Sequence, residues 1–238
     1  MEFLIDTHTH TLASGHAYST MSEMIQAATD KGLKYLGITE HAPAMPGTCH
    51  LFYFENLKVV PRKHGDLTLL LGAEANILDT DGNLDLNDEL MNRLDIIIAS
   101  LHNPCYTCGT ALENANAYVN AMKHPKVSII GHPDDGRLPV DYEILVREAK
   151  KHHVALEVNN SSLSKNSFRP NARENAMTYV SLCKEYGVPI IYGSDAHICY
   201  DVANFKFAKE VTDAVAFPKE LIVNYNQTLI DQYILSKK

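Results

Sequence analysis

Two histidines stand one residue apart in DTHTHT near the start of the chain, and a third follows after a short turn: His8, His10 and His16. A neutral imidazole is a ligand for transition metals, and clustered imidazoles are the usual mark of such a site. Further along, the chain places His41 in ITEH, Glu74 in LLLGAE, His102 in IIIASLH, His132 in SIIGH, and Asp195 and His197 in YGSDAH. Each of these closes a run of apolar residues. Of the 12 histidines, six close such runs and His16 lies just beyond one. The other five, His50, His64, His124, His152 and His153, fall elsewhere and read as surface residues. Surface histidines have no reason to track the ends of apolar runs, so these placements, with two carboxylates, point to one metal site.

His8 and His10 are two apart on an extended strand, so their side chains point the same way from Cα atoms about 7 Å apart. That spacing suits two ligands of one ion. Asp6 shares the face and is expected to accept a hydrogen bond from a ligand imidazole. Seven histidines with Glu74 and Asp195 make nine donors, too many for one ion and generous for two. Three ions with about three protein ligands each, sharing Glu74 as a bridge, leave positions for water or substrate. A donor set rich in imidazole and poor in carboxylate favours zinc, with iron or manganese next, over magnesium or calcium.

The elements that must gather these residues are legible as an alternation. Short β-rich runs occur at FLID, YLGIT, TLLLGAE, DIIIASL, VSIIGH, VALEV and VPIIYGS. Most are almost continuously apolar, as strands buried on both faces are. Helical patterns lie between them: TMSEMIQAATDKG, TALENANAYVNAMK, VDYEILVREAKKHH and NARENAMTYVSLCKEYG. Thr110 with Glu113, and Asn171 with Glu174, have the spacing of a capping box. The second and third strands are joined by a longer stretch rich in Pro and aromatics, residues 42–66, which reads as an insertion over one end of the fold. Seven strand–helix units predict a single α/β domain over residues 1–238, a distorted (β/α)7 barrel of TIM type. A doubly wound open sheet is the alternative, but no glycine-rich nucleotide loop follows the first strand. In a parallel barrel the C-terminal strand ends gather on one face, and residues scattered over the sequence converge there.

Bulk properties narrow the partners. The chain has 238 residues, 45% hydrophobic and 21% charged, with a formal net charge of -8 and no run of Lys or Arg. Tight non-specific binding to nucleic acid or an anionic membrane is disfavoured on that charge. The N-terminus lacks the pattern of a signal peptide, and no apolar stretch approaches a membrane span. Of five cysteines, Cys105 and Cys108 form a single CYTC with no second pair, which fits a reduced pair in the cytoplasm better than a zinc ribbon.

The segments DTHTHT, GITEHAP, GAEANI, SLHNP, GHPDD and GSDAH, in that order, resemble the PHP (polymerase and histidinol phosphatase) superfamily. Together with GHAYSTMSEMIQAA, the EVNNSS run and the short length, they most resemble its YcdX-type phosphatases. The resemblance covers essentially the whole chain. It implies a distorted seven-stranded barrel with two or three metal ions: His8, His10, Glu74 and Asp195 holding one, Glu74, His102 and His132 a second, and His16, His41 and His197 a third. The second motif reads TEH where many relatives have TDH; Glu40 is not a ligand in that pattern, and the change bears on the orientation of His41. The implied activity is hydrolysis of a phosphate monoester by a metal-activated water, with His10, Glu74 and Asp195 as the catalytic set and Asp195 orienting the water. Three divalent ions exceed the charge of two carboxylates and a hydroxide, a surplus that a small phosphorylated substrate neutralises.

Asn159, at the end of the sixth strand, and Arg169 and Arg173, before the following helix, are candidates to bind that substrate; a strand-terminating turn at Asn159 and a surface role for Arg173 are equally open. A histidinol-phosphate phosphatase and a nucleotide phosphodiesterase are close alternatives. A DNA exonuclease module and a non-enzymatic metal-binding protein are more distant ones. Oligomeric state stays open, a homo-oligomer included.

Overall fold

The apolar runs become strands because most are short, rich in aliphatic residues and flanked by polar turn residues, and because neighbouring runs pair in parallel. The structure, a computed structural model, describes residues 3–237; Met1 and Glu2, part of the N-terminus read above, lie outside the described residues. In chain order the elements are β1 (Ile5–Asp6), α1 (Met21–Asp30), β2 (Tyr35–His41), α2 (Leu51–Asn56), β3 (Lys63–His64), β4 (Leu67–Asn76), α3 (Asp88–Met91), β5 (Ile96–Ser100), α4 (Ala111–Met122), β6 (Val127–Ile130), α5 (Tyr142–His152), β7 (Ala155–Asn159), α6 (Ala172–Tyr186), β8 (Ile190–Gly193), α7 (Lys206–Ala214) and α8 (Gln227–Tyr233). Seven strands run parallel in the order β1-β2-β4-β5-β6-β7-β8, and β3, within the long connection, adds an antiparallel hairpin arm to β4. The sheet is an α/β barrel of TIM type with its helices outside, not the open doubly wound sheet.

Strand alternation sorts the core into two. Leu69, Leu71, Ala73, Ile97, Ala99, Leu156 and Ile190 face outward and pack under the helices. Ile5, Leu70, Ile96, Ile98, Ile129, Ala155 and Ile191 face inward, where Val223, Ile230 and Ile234 of the C-terminal segment plug the floor. Two residues further up the same inward rows stand Gly72 and Gly193, and above them Glu74 and Asp195. β4 and β8 thus carry an apolar foot, a glycine in the middle and a donor near the tip.

The barrel closes between β8 and β1 without a regular ladder. Near the top, Asp195 N–H donates to the His8 carbonyl and His10 N–H to the Ala196 carbonyl, both at 2.9 Å. Lower down the buried amide of Asn224 fills the seam. Its Oδ1 accepts from Tyr192 N–H at 2.7 Å, while its Nδ2 donates to the carbonyls of Ile5 at 3.0 Å and Tyr192 at 2.9 Å. One side chain substitutes for a stretch of missing strand.

Of the two expected capping boxes, the Thr110–Glu113 box forms. The Asn171–Glu174 box does not: Asn171 sits in the left-handed region at φ 56°, and its side chain makes no cap hydrogen bond to α6. Thr20 and Glu23 form a box at α1 instead of leaving it uncapped.

Replacing Asn224 by Ala strands three buried backbone groups and is expected to lower unfolding free energy by about 3 kcal/mol. Asn226→Ala, which removes the N-cap of α8 and one exposed hydrogen bond to the Glu220 carbonyl, should lose about 1 kcal/mol. Urea unfolding of both variants checks this; equal losses would mean that Asn224 does not close the barrel.

Candidate metal centre

The strand tips bring eight of the nine expected donors into direct ring or charge contact around Glu74 and Asp195. Glu74, at the inward tip of β4 and fully buried, divides its oxygens. Oε2 lies 2.7 Å from His41 Nδ1, 3.4 Å from His8 Nε2 and 3.6 Å from His10 Nε2. Oε1 lies 2.8 Å from His132 Nε2 and 3.2 Å from His102 Nε2. Asp195 Oδ1 lies 3.4 Å from His10 Nε2, 3.7 Å from His8 Nε2 and 3.4 Å from His197 Nδ1. His16 reaches neither carboxylate; its ring stands 4.9 Å from that of His41 and 4.8 Å from that of His197. Among the described residues three groups have donor atoms all within 4.8 Å of one another: His8, His10 and Glu74; His41, Glu74 and His102; and His10, His41 and His197.

These residues fit a metal because their inner atoms have nothing else to bind. His8 Nε2, His10 Nε2, His41 Nδ1, His102 Nε2 and Glu74 Oε2 are buried and make no proper hydrogen bond. Buried polar atoms left so are expensive unless a cation or a proton occupies the space between them. Protons alone do not suffice. Burial first, and the nearby His41 next, hold His10 well below the ordinary imidazole range. Burial also lowers His102, so both rings keep open lone pairs. Burial opposes a charge on His8 too, but the carboxylates of Glu157, Glu74 and Asp195 raise its ring well above the ordinary range. Glu74 is held well below the usual carboxylate range, against the effect of burial, by His102, His8 and His41. His8 and His10 hold Asp195 low in the same way.

Two of the donors sit on strained backbone. His132 at φ 27° and Asp195 at φ 52° occupy the left-handed region, where residues other than glycine are uncommon and functional constraint is a common cause. Both lie where a strand turns into its loop, and the turn re-aims the side chain over the barrel mouth. Asp195 is tied by its N–H to the His8 carbonyl, and His132 N–H donates to Glu157 Oε2 at 2.8 Å.

A cavity of 540 Å³ opens beside the cluster. His16, His41, His102, Asp195 and His197 form its inner end, and Arg169, Ser162 and Phe168 its wall. Arg169 Nη1 lies 2.5 Å from Ser162 Oγ and 3.6 Å from Asp195 Oδ2, and its Nε is 3.9 Å from Asp135 Oδ2. Phe168 is exposed at the rim, with the Arg137 guanidinium 4.8 Å from its ring centroid.

A sequence profile of the PHP domain matches residues 6–161, more than half of the chain. The chain belongs to the PHP domain family. Full-length relatives carry the name "Probable phosphatase": one from Clostridium novyi is 46% identical over 100% of this chain and 96% of its own length. One from Caldicellulosiruptor saccharolyticus is 46% identical over 92% of this chain and 91% of its own. Among solved structures, a histidinol phosphate phosphatase from Lactococcus lactis shares the fold at TM-score 0.64. It has 17% sequence identity, covering 91% of this chain and 95% of that one, and was solved with zinc, L-histidinol and phosphate.

Within this PHP domain the other named residues take definite places. Asn159 is buried behind the site, donating to Glu157 Oε2 at 3.1 Å and to Asp195 Oδ2 at 3.3 Å, while its Oδ1 accepts from Ser162 N–H at 2.9 Å. Arg173 is not brought to the cluster; it is half exposed and pairs with Glu210. Asp6 does not accept from a ligand imidazole as expected. Its oxygens are taken by the Ser194 hydroxyl at 2.6 Å and by the backbone N–H groups of Ala203, Ser194 and His8, and burial pushes it up to about 6.

The acceptor for His8 is instead Glu157, whose Oε1 lies 2.7 Å from His8 Nδ1. Sequence reasoning missed it; the available signal was a carboxylate on the inward row of the apolar run VALEV. The five remaining histidines have local roles: the His50 ring caps α2, His64 bonds the Pro61 carbonyl, His124 accepts from Lys126 N–H, and His152 pairs with Glu148. His153 closes α5 in the left-handed region at φ 52°, so Asn rather than Ala is the neutral replacement there.

Two outcomes are expected. A Cβ added at Gly193 would lie 1.7 Å from Glu157 Oε1, so Gly193→Ala should displace the carboxylate that holds His8 and weaken transition-metal binding by about tenfold or more. Competition with a chelator measures it; unchanged affinity would sink the role of Glu157. Second, His8 stays protonated to a higher pH than an ordinary imidazole in the metal-free chain, and a ligand must be neutral. Metal uptake should therefore release a proton and tighten as pH rises towards that raised range, which calorimetry in buffers of different ionisation enthalpy reports.

Proposed function

We propose that this PHP-family chain is a zinc-dependent phosphomonoesterase that acts on a small phosphorylated metabolite at a centre of three ions. The observation that carries the reading is the set of orphaned imidazole nitrogens around two buried carboxylates, opening on a cavity with the largely buried Arg169 guanidinium in its wall. When bound, the ions would lower the pKa of water towards 7 and neutralise phosphoryl charge.

The chain's own residues supply the rest. Glu74 offers one oxygen to His8, His10 and His41 and the other to His102 and His132, which suits a carboxylate shared between two ions. His16 and His197 with His41 offer donors for a third. Arg169 holds its position through Ser162 and Asp195 and faces the cavity, where its fork of N–H donors matches phosphoryl oxygens. Asn159 steadies both Asp195 and Ser162 from behind. A cavity of 540 Å³ is of small-molecule size, and the net charge of -8 opposes a polymeric nucleic acid substrate. Histidinol phosphate, with histidinol as the leaving group, is a second candidate substrate, favoured by the shared fold of the Lactococcus lactis enzyme solved with L-histidinol and phosphate.

The test is elemental analysis followed by a substrate panel on one preparation: an aryl phosphate, sugar phosphates, histidinol phosphate and a bis(aryl) phosphate between pH 6 and 9. About three transition-metal ions per chain and turnover of monoesters over the diester are expected. A single ion would overturn the trinuclear centre, and hydrolysis of the diester alone would overturn the monoesterase. Arg169→Ala should keep its metal and lose about 100-fold in kcat/KM, the usual scale for removing a positioned donor to transition-state charge.

A further inference from the structure

A ring that ligates through Nε2 must carry its proton on Nδ1, and something has to hold it there. For His8 the holder is the Glu157 carboxylate itself. For His10 and His102 it is a neutral group: His10 Nδ1 lies 3.0 Å from Ser14 Oγ, and His102 Nδ1 lies 2.8 Å from Asn76 Oδ1. A hydroxyl can donate or accept and an amide can be turned over, so neither contact by itself selects the tautomer.

The remaining contacts of both groups do select it. The Ser14 hydroxyl has one proton, and the Glu40 carboxylate takes it: Ser14 Oγ donates to Glu40 Oε2 at 2.6 Å. Glu40 also accepts from Thr11 N–H, the Thr11 hydroxyl and the Tyr53 hydroxyl, so it acts as acceptor throughout. Ser14 Oγ also accepts from His41 N–H at 3.1 Å. Its only capacity towards His10 is a lone pair, and His10 Nδ1 must donate. Asn76 Nδ2 is committed to the Asp85 Oδ2 carboxylate oxygen at 2.6 Å and the Ala42 carbonyl at 3.1 Å. Turning the amide over would face its oxygen with two acceptors. Asp85 is fixed in turn by Ala44 N–H and Asn76 N–H, each at 2.8 Å. Asn76 Oδ1 therefore faces His102, and His102 Nδ1 must donate.

We infer that Glu40 acting through Ser14, and Asp85 acting through Asn76, are positioning residues. They lock His10 and His102 with Nδ1 protonated, so that both Nε2 lone pairs face the Glu74 centre. The inference rests on the reading of that centre as a metal site, but the tautomer itself can be observed without metal. Replacing either carboxylate by its amide breaks the logic. In Glu40→Gln the new NH2 can donate to Ser14 Oγ, freeing the hydroxyl proton for His10 Nδ1 and moving the ring proton to Nε2. In Asp85→Asn the new NH2 meets a donor at every position, and the turned Asn76 amide then presents its own NH2 to His102.

Long-range proton–nitrogen spectra of the full-length, 15N-labelled chain, recorded after dialysis against a chelator, report the protonated ring nitrogen. The His10 and His102 signals are assigned by their loss in His10→Gln and His102→Gln. Both rings should read Nδ1–H in the parent chain, with only His10 changing in Glu40→Gln and only His102 in Asp85→Asn. Glu40→Asp, which keeps an acceptor-only group, should retain the parent signal. Zinc affinity, by competition with a fluorescent chelator, should fall about 10- to 100-fold in the two amide variants, and recover in Glu40→Asp. Parent rings protonated on Nε2, or amide variants whose rings are unchanged, would overturn the inference. Correct tautomers in a chain that binds no zinc would instead overturn the metal reading and leave the two relays standing.

Discussion

The Glu74 carboxylate is the constraint on which the barrel mouth depends. It is fully buried, and five imidazoles approach it within 3.6 Å. In water such a carboxylate would be solvated on both oxygens; here it is solvated by ring nitrogens, several of them with open lone pairs. Lone pairs facing a carboxylate repel it unless positive charge stands between them. In the metal-free chain His8 supplies part of that charge as a proton, and the space between the donors suits a cation. Every strand tip is arranged around this requirement, because the donors come from different strands and no local segment could assemble them.

The layering of the barrel makes the arrangement possible. Inward-facing Leu70, Ile96, Ile98, Ile129, Ala155 and Ile191 form a dry foot, closed from below by Val223, Ile230 and Ile234. Burying apolar area there supplies the folding drive, at about 25 cal/mol per Å². Above it the inward rows shrink to Gly72, Gly131 and Gly193, each with no room for a Cβ. At Gly193 the space is filled by Glu157. The glycine layer is what lets a second carboxylate lie flat beneath the donors and reach His8, the His132 backbone and Asn159 together. Packing and polar chemistry are thus separated by one residue step along each strand.

What was legible in the sequence follows this geometry. Strand tips were readable because a polar residue that ends an apolar run must leave the core at a known face, so His8, His10, His41, Glu74, His102, His132, Asp195 and His197 could be brought together before any coordinates. Glu157 was hidden because it lies within its run rather than at the end, and its partner His8 is 149 residues away. Asp6 illustrates the limit of a same-face argument. It follows the inward-facing Ile5 on β1 and so faces the other side, where Ser194 and Ala203 from the far end of the chain hold it. Asn171 has the capping spacing, yet a left-handed backbone turns its side chain off the helix axis. Asn224 gave no signal, since nothing local says that a barrel lacks a strand pairing there.

The same separation bears on how the chain holds together when no ion occupies the donor cluster. The unsatisfied nitrogens lie in the upper layer, while the outward core and the lower plug are complete in themselves. A metal held by these donors would add stability by linkage, in proportion to the logarithm of its concentration over its dissociation constant, while the packing that forms the barrel does not depend on it. The outer carboxylates Glu157, Glu40 and Asp85 belong to neither extreme. They are tied to backbone N–H groups of His132, Thr11, Ala44 and Asn76, so they stay in place whether or not an ion is bound. The imidazoles are therefore held at the right angle by parts of the fold that do not need the metal. That is the condition for a preformed site rather than one that assembles around its ions.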